Sequence, residues 1–334
     1  MIDGHGDDAW KYPVPIYADF SSNVLYGELD DGLLRHIREC VGAVTHYPEA
    51  GARRLQAAAA NAYRVDDEQV LVTNGATEAI YLIAQAFRKR QATIYVPAFA
   101  EYEDACAAQE MKIVFRDWEE LRTGKIADEG LVFLCHPNNP TGAGLSLEFL
   151  RNCRNAIVVV DESYIEFTRA ASSIVPRLHE LPNVLVLRSL TKAYRIPGLR
   201  VGFVVGAAPL VARLRALKMP WSVNQLALAA GTYIFDHPED FKLPVEQLLA
   251  ETAAWRQELR EATGWTVHPT DTHYFLIDTP APMKMPLLIQ YGLLVRDASN
   301  FRGLERAVIR VACQSRQHNQ LLTEALRACA QTGR

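Results

Sequence analysis

The segment from Ser189 to Gly202 holds the side chains of this sequence that are best suited to chemistry. It reads S-L-T-K-A-Y-R-I-P-G-L-R-V-G, so a lysine follows two hydroxyl residues and precedes an arginine by eight positions. Ser189, Thr191 and Arg200 suit a phosphate dianion, because hydroxyls donate hydrogen bonds and a guanidinium donates them in pairs. An enclosed Lys192 amine can form a Schiff base with an aldehyde cofactor. Spacing alone leaves a surface lysine as an equal alternative.

The lysine segment follows an apolar run, Val184–Leu187, which predicts a buried strand. Similar runs lie upstream, beginning with Val70–Thr73, and each is followed by polar or small residues. These residues are N-G-A-T-E at 74–78, P-A-F at 97–99, H-P-N-N-P-T-G at 136–142 and D-E-S-Y at 161–164. Open parallel sheets bind ligands at the carboxyl ends of their strands. The sequence therefore predicts that all these segments meet at one site.

The order of the predicted elements indicates an α/β fold. Apolar strands alternate with helices up to Val205, which predicts a mostly parallel sheet covered by helices on both faces. The pattern then changes to a long helix at about 240–262. Strands at 274–277, 293–296 and 308–312 follow, with helices at about 284–291 and 316–331, an arrangement typical of a small α+β domain. The predicted organisation is an N-terminal arm at 1–30 that packs with the small domain, a large domain at 31–235 and a small domain at 236–334.

Composition argues against several classes of protein. The chain has 334 residues with Lys+Arg 35 and Asp+Glu 39, a net charge of −4, so no broad basic surface indicates a nucleic-acid partner. No run of about 18 apolar residues indicates a membrane span. Six cysteines without a C-x-x-C pair predict free thiols and a cytoplasmic location. The nine histidines are dispersed, so no metal site is predicted.

Residues at the other strand ends fit a pyridine cofactor. Asp161 can partner a protonated ring nitrogen, which such a cofactor needs in order to act as an electron sink. Phe99 can stack on the ring, and Asn139 and Tyr164 can donate to a phenolic oxygen. Each residue also has an ordinary structural explanation when taken alone, such as a turn or a helix cap. Their common position at strand ends favours the cofactor site.

In kind and in order, these motifs resemble the class I/II aminotransferase superfamily, the fold-type I enzymes that use pyridoxal 5′-phosphate. The resemblance implies that Lys192 is the Schiff-base lysine and proton shuttle, with Asp161 and Tyr164 as its catalytic partners. It implies a cofactor site made of Gly75, Ala76, Thr77, Phe99, Asn139, Asp161, Tyr164, Ser189, Thr191, Lys192 and Arg200. Tyr47, in H-Y-P-E, resembles the tyrosine that reaches the cofactor phosphate of the neighbouring subunit. A homodimer with a shared active site is therefore expected.

Two branches of the superfamily match best, the threonine-phosphate decarboxylases of cobalamin synthesis and the histidinol-phosphate aminotransferases. The segments that resemble the decarboxylases include H-G at 5–6, D-F-S-S-N at 19–23, M-P-W-S-V-N at 219–224 and V-R-D-A-S-N-F-R-G-L at 295–304. The resemblance implies a small phosphorylated amino acid as substrate. The implied substrate ligands are His5, Asn23, Asn139, Arg296 and Arg310.

The sequence leaves the reaction open, because decarboxylation and amino transfer to 2-oxoglutarate use the same lysine and aspartate. One departure from the decarboxylase pattern is the pair Asp7-Asp8, which replaces a glycine-rich start. Carboxylates there would repel a substrate phosphate if they pointed into the site. Two other classes fit poorly. A Rossmann dehydrogenase needs G-x-G-x-x-G after its first strand, which is absent, and a catalytically silent relative would be expected to lack Lys192.

Overall fold

The computed structural model describes residues 6–332. Its strands are β1 (Ala18–Asp19), β2 (Val70–Thr73), β3 (Ala92–Val96), β4 (Ile113–Asp117), β5 (Leu131–Cys135), β6 (Ile157–Asp161), β7 (Val184–Ser189), β8 (Gly202–Gly206), β9 (Tyr274–Asp278), β10 (Leu293–Leu294), β11 (Arg296–Asp297) and β12 (Val308–Ala312). Its helices are α1 (Asp31–Cys40), α2 (Arg53–Tyr63), α3 (Gly75–Ala86), α4 (Glu101–Ala108), α5 (Glu119–Arg122), α6 (Ala208–Arg215), α7 (Gln225–Asp236), α8 (Val245–Thr263), α9 (Lys284–Tyr291) and α10 (Arg316–Thr332).

A seven-stranded sheet lies at the centre, in the order β2-β8-β7-β6-β5-β3-β4. Neighbouring strands run parallel except β8, which is antiparallel to both β2 and β7. The chain passes from β7 to β8 through the lysine segment without a crossover helix, and a direct return of this kind produces an antiparallel pair. The predicted mostly parallel α/β sheet is confirmed, with β8 as its exception.

Both faces of this sheet are buried except at the edge strand β4, whose residues are only partly buried or exposed. In β2, Val70 and Val72 belong to one hydrophobic cluster and Leu71 to the other, as alternation along a strand requires. Helices α1, α2 and α7 contribute to the first cluster, and α3, α4 and α6 to the second. A strand buried on both faces needs apolar residues at every position. This explains why the strands can be recognised in the sequence as continuous apolar runs.

A second, three-stranded antiparallel sheet has the order β11-β12-β9 and carries a separate hydrophobic cluster. The arm contacts this part of the chain, because β1 pairs in parallel with β10, with Ala18 opposite Leu293. Phe20 continues the pairing by donating its N–H to the Leu294 carbonyl at 2.7 Å. The domain boundaries at residues 30 and 235 stay a prediction.

Several predicted elements differ in detail from the structure. The expected strand 293–296 is two short strands, because β10 pairs with the arm whereas β11 pairs with β12. The long helix begins at Val245, since Pro244 lacks the N–H that would extend it backwards. Connections are not helical throughout, since 3₁₀ turns such as Glu148–Asn152 link β5 to β6. Within residues 6–332, no helix has the length and apolarity needed to cross a membrane.

Candidate active site

A cavity of about 250 Å³ lies where the ends of the central strands meet the arm and the second sheet. The predicted site residues that line it are Asn23, Thr77, Phe99, Asn139, Tyr164, Lys192, Arg296 and Arg310. They come from three parts of the chain that are far apart in sequence. Of the strand-end segments, Thr77, Phe99, Asn139, Tyr164 and Lys192 lie at this one cavity.

Lys192 lies in the segment after β7 and reaches into this cavity. Burial, followed by the positive charges of Arg200 and Arg310, lowers the pKa of the Lys192 amine to about 8, and the carboxylates of Asp7 and Asp161 act in the opposite direction. A substantial fraction of this amine is therefore neutral near physiological pH. A neutral amine is the form that attacks a carbonyl carbon.

Asp161 is the last residue of β6, and its side chain is buried. Its Oδ1 accepts from the Ser163 N–H at 2.9 Å and from the Ser163 hydroxyl at 2.6 Å. Its Oδ2 accepts from the Tyr102 hydroxyl at 2.6 Å. Burial raises the pKa of Asp161, and these hydrogen bonds partly oppose that shift. The arrangement holds the carboxyl group in one orientation.

Tyr102 is a site residue that the sequence analysis did not identify. It is fully buried, and its ring stacks on Phe133 with centroids 5.2 Å apart. A signal was present in F-A-E-Y, since Tyr102 follows the predicted ring-stacking Phe99 by three positions. The rings of Phe99 and Tyr102 meet edge to face with centroids 5.9 Å apart, and α4 begins at Glu101, so Tyr102 lies in its first turn.

The predicted phosphate ligands lie together beside the start of α3. The hydroxyl oxygens of Ser189 and Thr191 are 2.8 Å apart, and both residues are buried. The Arg200 guanidinium lies against Gly75, where a Cβ atom would come within 2.9 Å of Nη2. A Cβ atom on Gly202 would likewise come within 2.9 Å of the Ala76 nitrogen. We call this group of hydroxyls, guanidinium and helix start the phosphate cup.

The first turn of α3 adds backbone donors to the phosphate cup. Gly75 adopts φ +74°, which a side chain would strain, and it starts the helix immediately after β2. The first N–H groups of a helix have no partner within it, and the helix dipole makes this end attractive to anions. Thr77, in the same turn, lines the cavity. This donor set suits a phosphate group.

Asn139 and Tyr164 both line the cavity. The Asn139 amide oxygen accepts from Arg310 Nη1 at 2.5 Å, so its NH₂ group is the part able to donate to a ligand. Burial raises the pKa of Tyr164 to about 12. Its hydroxyl therefore stays protonated and able to donate. Phe99 lines the same cavity.

Arg296 and Arg310 are direct partners across β11 and β12, so their side chains leave the sheet on the same face. Arg310 Nη2 donates to the Ser21 carbonyl at 2.7 Å, and Arg296 Nη2 donates to Asn300 Oδ1 at 2.7 Å. Burial, and then the nearby Arg310, lower the pKa of Arg296 to about 10. Two adjacent buried cations favour an anion in the cavity.

Asn23 supports the same conclusion. Its side chain is buried, and neither its amide oxygen nor its amide nitrogen has a hydrogen-bond partner within residues 6–332. The amide is close enough to the Tyr164 hydroxyl to influence its pKa without reaching hydrogen-bond geometry. Buried polar groups normally have partners, so an unpaired amide facing a cavity indicates a ligand. The predicted ligand His5 lies outside the described residues.

The acidic pair of the arm is divided between two environments. Asp8 is buried, and its carboxylate oxygens lie 2.8 and 3.0 Å from the Lys284 amine. This ion pair neutralises the Asp8 carboxylate, and Asp8 does not line the cavity. Asp7 lines the cavity, and its N–H donates to Ser21 Oγ at 2.8 Å. The concern about repulsion therefore applies to Asp7 alone.

Tyr47 does not line the cavity of its own chain. It is 85% exposed and packs only loosely on Trp221, with centroids 5.5 Å apart. Val44 and Met219 are also exposed in this region. We call Val44, Tyr47, Met219 and Trp221 the exposed apolar strip. The contribution of Tyr47 to the phosphate cup of a second subunit stays a prediction.

Comparison with known proteins agrees with this geometry. The model of the family "Aminotransferase class I and II" matches residues 17–328. Threonine-phosphate decarboxylase of Salmonella typhimurium is 32% identical over 92% of this chain and 90% of that protein. Histidinol-phosphate aminotransferase of a Thermoanaerobacter species is 30% identical over 95% of this chain and 94% of that protein.

Among solved structures, L-threonine-O-3-phosphate decarboxylase from Porphyromonas gingivalis superimposes with a TM-score of 0.89 and 36% identity, covering 93% of this chain and 99% of that one. The histidinol-phosphate aminotransferase from Clostridium acetobutylicum gives a TM-score of 0.85 and 25% identity, covering 94% and 99%. The match extends over the strand-end segments and both sheets. The chain therefore belongs to the aminotransferase class I and II family of pyridoxal-phosphate-dependent enzymes.

Proposed function

We propose that this enzyme binds pyridoxal 5′-phosphate and decarboxylates a small phosphorylated amino acid, with threonine phosphate as the expected substrate. The observation that supports the substrate class best is the set of anion ligands beside Lys192. Arg296 and Arg310 lie next to each other in the cavity, and the unpaired Asn23 amide faces it. These groups exceed what one carboxylate requires, and they suit a phosphate.

The residues present fit the cofactor. The phosphate cup offers two buried hydroxyls, a guanidinium and the start of α3. Asp161 would partner the ring nitrogen, Phe99 would cover the ring and Lys192 would hold the aldehyde carbon. When bound, the cofactor supplies an electron sink for the electron pair released at the substrate Cα.

The residues of this chain then position the substrate and move protons. Lys192, with its pKa lowered to about 8, can both accept and return a proton at physiological pH. Arg296 and Asn23 would bind the substrate phosphate, and the protonated Tyr164 hydroxyl would donate to the phenolic oxygen. The closed surroundings strengthen these charged contacts relative to water.

The choice of reaction depends on which Cα bond stands perpendicular to the cofactor plane. A guanidinium that grips the substrate carboxylate in the plane leaves the Cα–H bond perpendicular, which leads to amino transfer. The two terminal nitrogens of Arg310 already donate to Asn139 and to the Ser21 carbonyl. Three of the five N–H groups of Arg310 remain for a ligand, so this residue can also grip a carboxylate, and the choice of decarboxylation is supported by the greater identity to threonine-phosphate decarboxylases.

The test is incubation of the holoenzyme with threonine phosphate, with CO₂ release and glutamate formation from 2-oxoglutarate measured in parallel. We expect CO₂ without a matching amount of glutamate. Equal turnover of unphosphorylated threonine would contradict the phosphate assignment. Glutamate formation without CO₂ would contradict the decarboxylase assignment.

The second candidate is amino transfer from histidinol phosphate, which the 30% identity to a histidinol-phosphate aminotransferase favours. Histidinol phosphate has no carboxylate, so this reaction also leaves Arg310 free to keep its partners. Incubation with histidinol phosphate and 2-oxoglutarate tests it, and glutamate is the expected product.

We also propose a homodimer in which Tyr47 reaches the partner's phosphate cup.

A further inference from the structure

His273 is a fully buried histidine that the proposed chemistry does not use. It directly precedes β9, and its ring Nε2 lies 3.2 Å from the carbonyl oxygen of Asn23 in the arm. His273 does not line the cavity, whereas Asn23 does. Any effect of this imidazole on a ligand must therefore pass through its neighbours, and Asn23 is the neighbour that faces the cavity.

The chemistry of the two groups determines which of them donates. A carbonyl oxygen only accepts, so Nε2 of His273 must carry the proton and donate it to Asn23. Burial lowers the pKa of His273 to about 3; the hydrogen bond with Asn23 opposes this shift, and the charge of Arg310 adds to it. The ring is therefore neutral, with a single N–H. Its buried Nδ1 has no partner in the described part of the chain, so the contact with Asn23 uses the one N–H that the ring has.

His273 is itself held firmly. Its carbonyl accepts from the Cys313 N–H at 2.7 Å, and its ring packs on Phe167 with centroids 4.1 Å apart. Cys313 directly follows β12, the strand that carries Arg310. The imidazole is thus a fixed point from which the arm can be held at a constant distance from Arg310.

The arm is anchored on both sides of Asn23. The Ser21 carbonyl accepts from Arg310 Nη2 at 2.7 Å, and the Leu25 N–H donates to the Lys192 carbonyl at 3.0 Å. The imidazole contact lies midway between these two anchors. The Asn23 amide is buried, and both of its polar atoms lack a partner among residues 6–332. A backbone that is fixed before binding reduces the conformational freedom that this amide loses when it meets a ligand.

We infer that His273 is a positioning residue for the substrate phosphate. Its Nε2–H holds the Asn23 backbone so that the Asn23 amide is already oriented towards the phosphate in the cavity. This inference rests on the proposed function and deepens it, because it adds a residue that acts on the phosphate through Asn23 without touching the substrate.

The test measures by calorimetry how tightly the holoenzyme binds isopropyl phosphate, an unreactive ester that offers only the phosphate. His273→Gln places an N–H donor near the position of Nε2, whereas His273→Met has a similar length and no donor. Both variants lose the ring, so its packing on Phe167 is removed equally. We expect His273→Gln to bind isopropyl phosphate within about twofold of the wild type and His273→Met to bind it about tenfold more weakly. Cofactor affinity should stay unchanged in both.

A double substitution shows whether the effect passes through Asn23. Asn23→Ala should weaken the binding of isopropyl phosphate, and adding His273→Met to it should weaken binding no further. Thr323→Val is the matched control for a lost buried hydrogen bond. The Thr323 hydroxyl is buried and accepts from Trp255 Nε1 at 3.1 Å, and neither residue lines the cavity. This control should lower the free energy of unfolding and leave the affinity for isopropyl phosphate unchanged.

Several results would overturn the inference alone. They are wild-type affinity for isopropyl phosphate in His273→Met, equal losses in His273→Met and His273→Gln, and a full further loss when His273→Met is added to Asn23→Ala. In each case CO₂ release from threonine phosphate by the wild type would still support the proposed function. A wild type that neither bound isopropyl phosphate nor released CO₂ would overturn the proposed function and the inference with it.

Discussion

At the scale of single residues, Lys192 predicts a specific pH dependence. Its pKa is lowered to about 8, chiefly by burial, so the amine becomes neutral and nucleophilic as the pH rises through 8. The rate of covalent cofactor attachment to the apoenzyme should therefore increase up to about pH 8 and then level off. Absorbance of the attached cofactor measures this rate. A rate still rising tenfold per unit at pH 10 would show an ordinary lysine, and borohydride labelling absent from Lys192→Ala confirms the site.

Tyr102 gives a second prediction at this scale. Tyr102→Phe removes the hydroxyl that donates to Asp161 at 2.6 Å and leaves a buried carboxylate with one hydrogen bond fewer. Losing a hydrogen bond to a buried charged group costs about 1–3 kcal/mol, so cofactor affinity should fall by roughly ten- to a hundredfold. Equilibrium dialysis of the cofactor measures this change.

The control for that variant is Tyr95→Phe. Tyr95 is also fully buried, and its hydroxyl accepts from the Ala127 N–H at 2.8 Å, outside the cavity lining. Its loss should lower the free energy of unfolding without changing cofactor affinity. Similar losses of affinity in the two variants would indicate a general effect of buried hydroxyls instead of a specific contact with Asp161.

At the scale of elements, the junction of β8 with α3 is the most sensitive part of the phosphate cup. A Cβ atom on Gly202 would lie 2.8–2.9 Å from backbone atoms of Arg188, Gly75 and Ala76. Backbone atoms cannot move aside alone, so Gly202→Ala should cost about 1–3 kcal/mol of stability and weaken cofactor binding as well. Chemical denaturation and a cofactor titration measure the two effects.

Gly198→Ala is the matched substitution, because nothing lies within 4 Å of the position that its Cβ atom would take. It is in the same segment between β7 and β8. We expect stability within about 0.5 kcal/mol of the wild type, as for other unobstructed surface positions. Equal destabilisation by both alanines would mean that flexibility of the segment, and not the close approach to α3, determines the result.

Sequence patterns predict those elements whose cause is local. β2 and β12 have the expected bounds, since apolar runs buried on both faces are readable without knowing the fold. The division of 293–296 into β10 and β11 cannot be predicted from the local sequence, because it depends on the pairing of β10 with the distant arm. The amphipathic strand β4 escapes detection for a similar reason, as none of its residues is fully buried.

The candidate site shows the same limit. The strand-end residues can be identified from the sequence because each follows a strand that is recognisable as an apolar run. The contact of Arg310 with the Ser21 carbonyl joins residues 289 positions apart, and no local pattern indicates it. The burial of Asp8 against Lys284 likewise depends on how the arm meets α9. Such contacts need the three-dimensional structure.

At the scale of the whole molecule, Tyr47 predicts dependence on a second subunit. Tyr47 is 85% exposed within the exposed apolar strip, yet its motif is the one expected to reach a neighbouring phosphate cup. Tyr47→Phe should weaken cofactor retention without changing the melting temperature of the apoenzyme. Tyr17→Phe, at another exposed tyrosine, should change neither quantity. A fully active monomer in sedimentation at assay concentration would contradict the shared site.

The pairing of β1 with β10 has a consequence for synthesis on the ribosome. Ala18 emerges among the first residues of the chain, whereas its partner Leu293 emerges almost at the end. At a translation rate of about 5–20 residues per second, the arm therefore waits for tens of seconds before it can pair. During that time Phe20, which is fully buried in the finished protein, has no place to pack and remains available to chaperones. The central sheet can fold before release, but the cavity can acquire its arm only when translation is nearly complete.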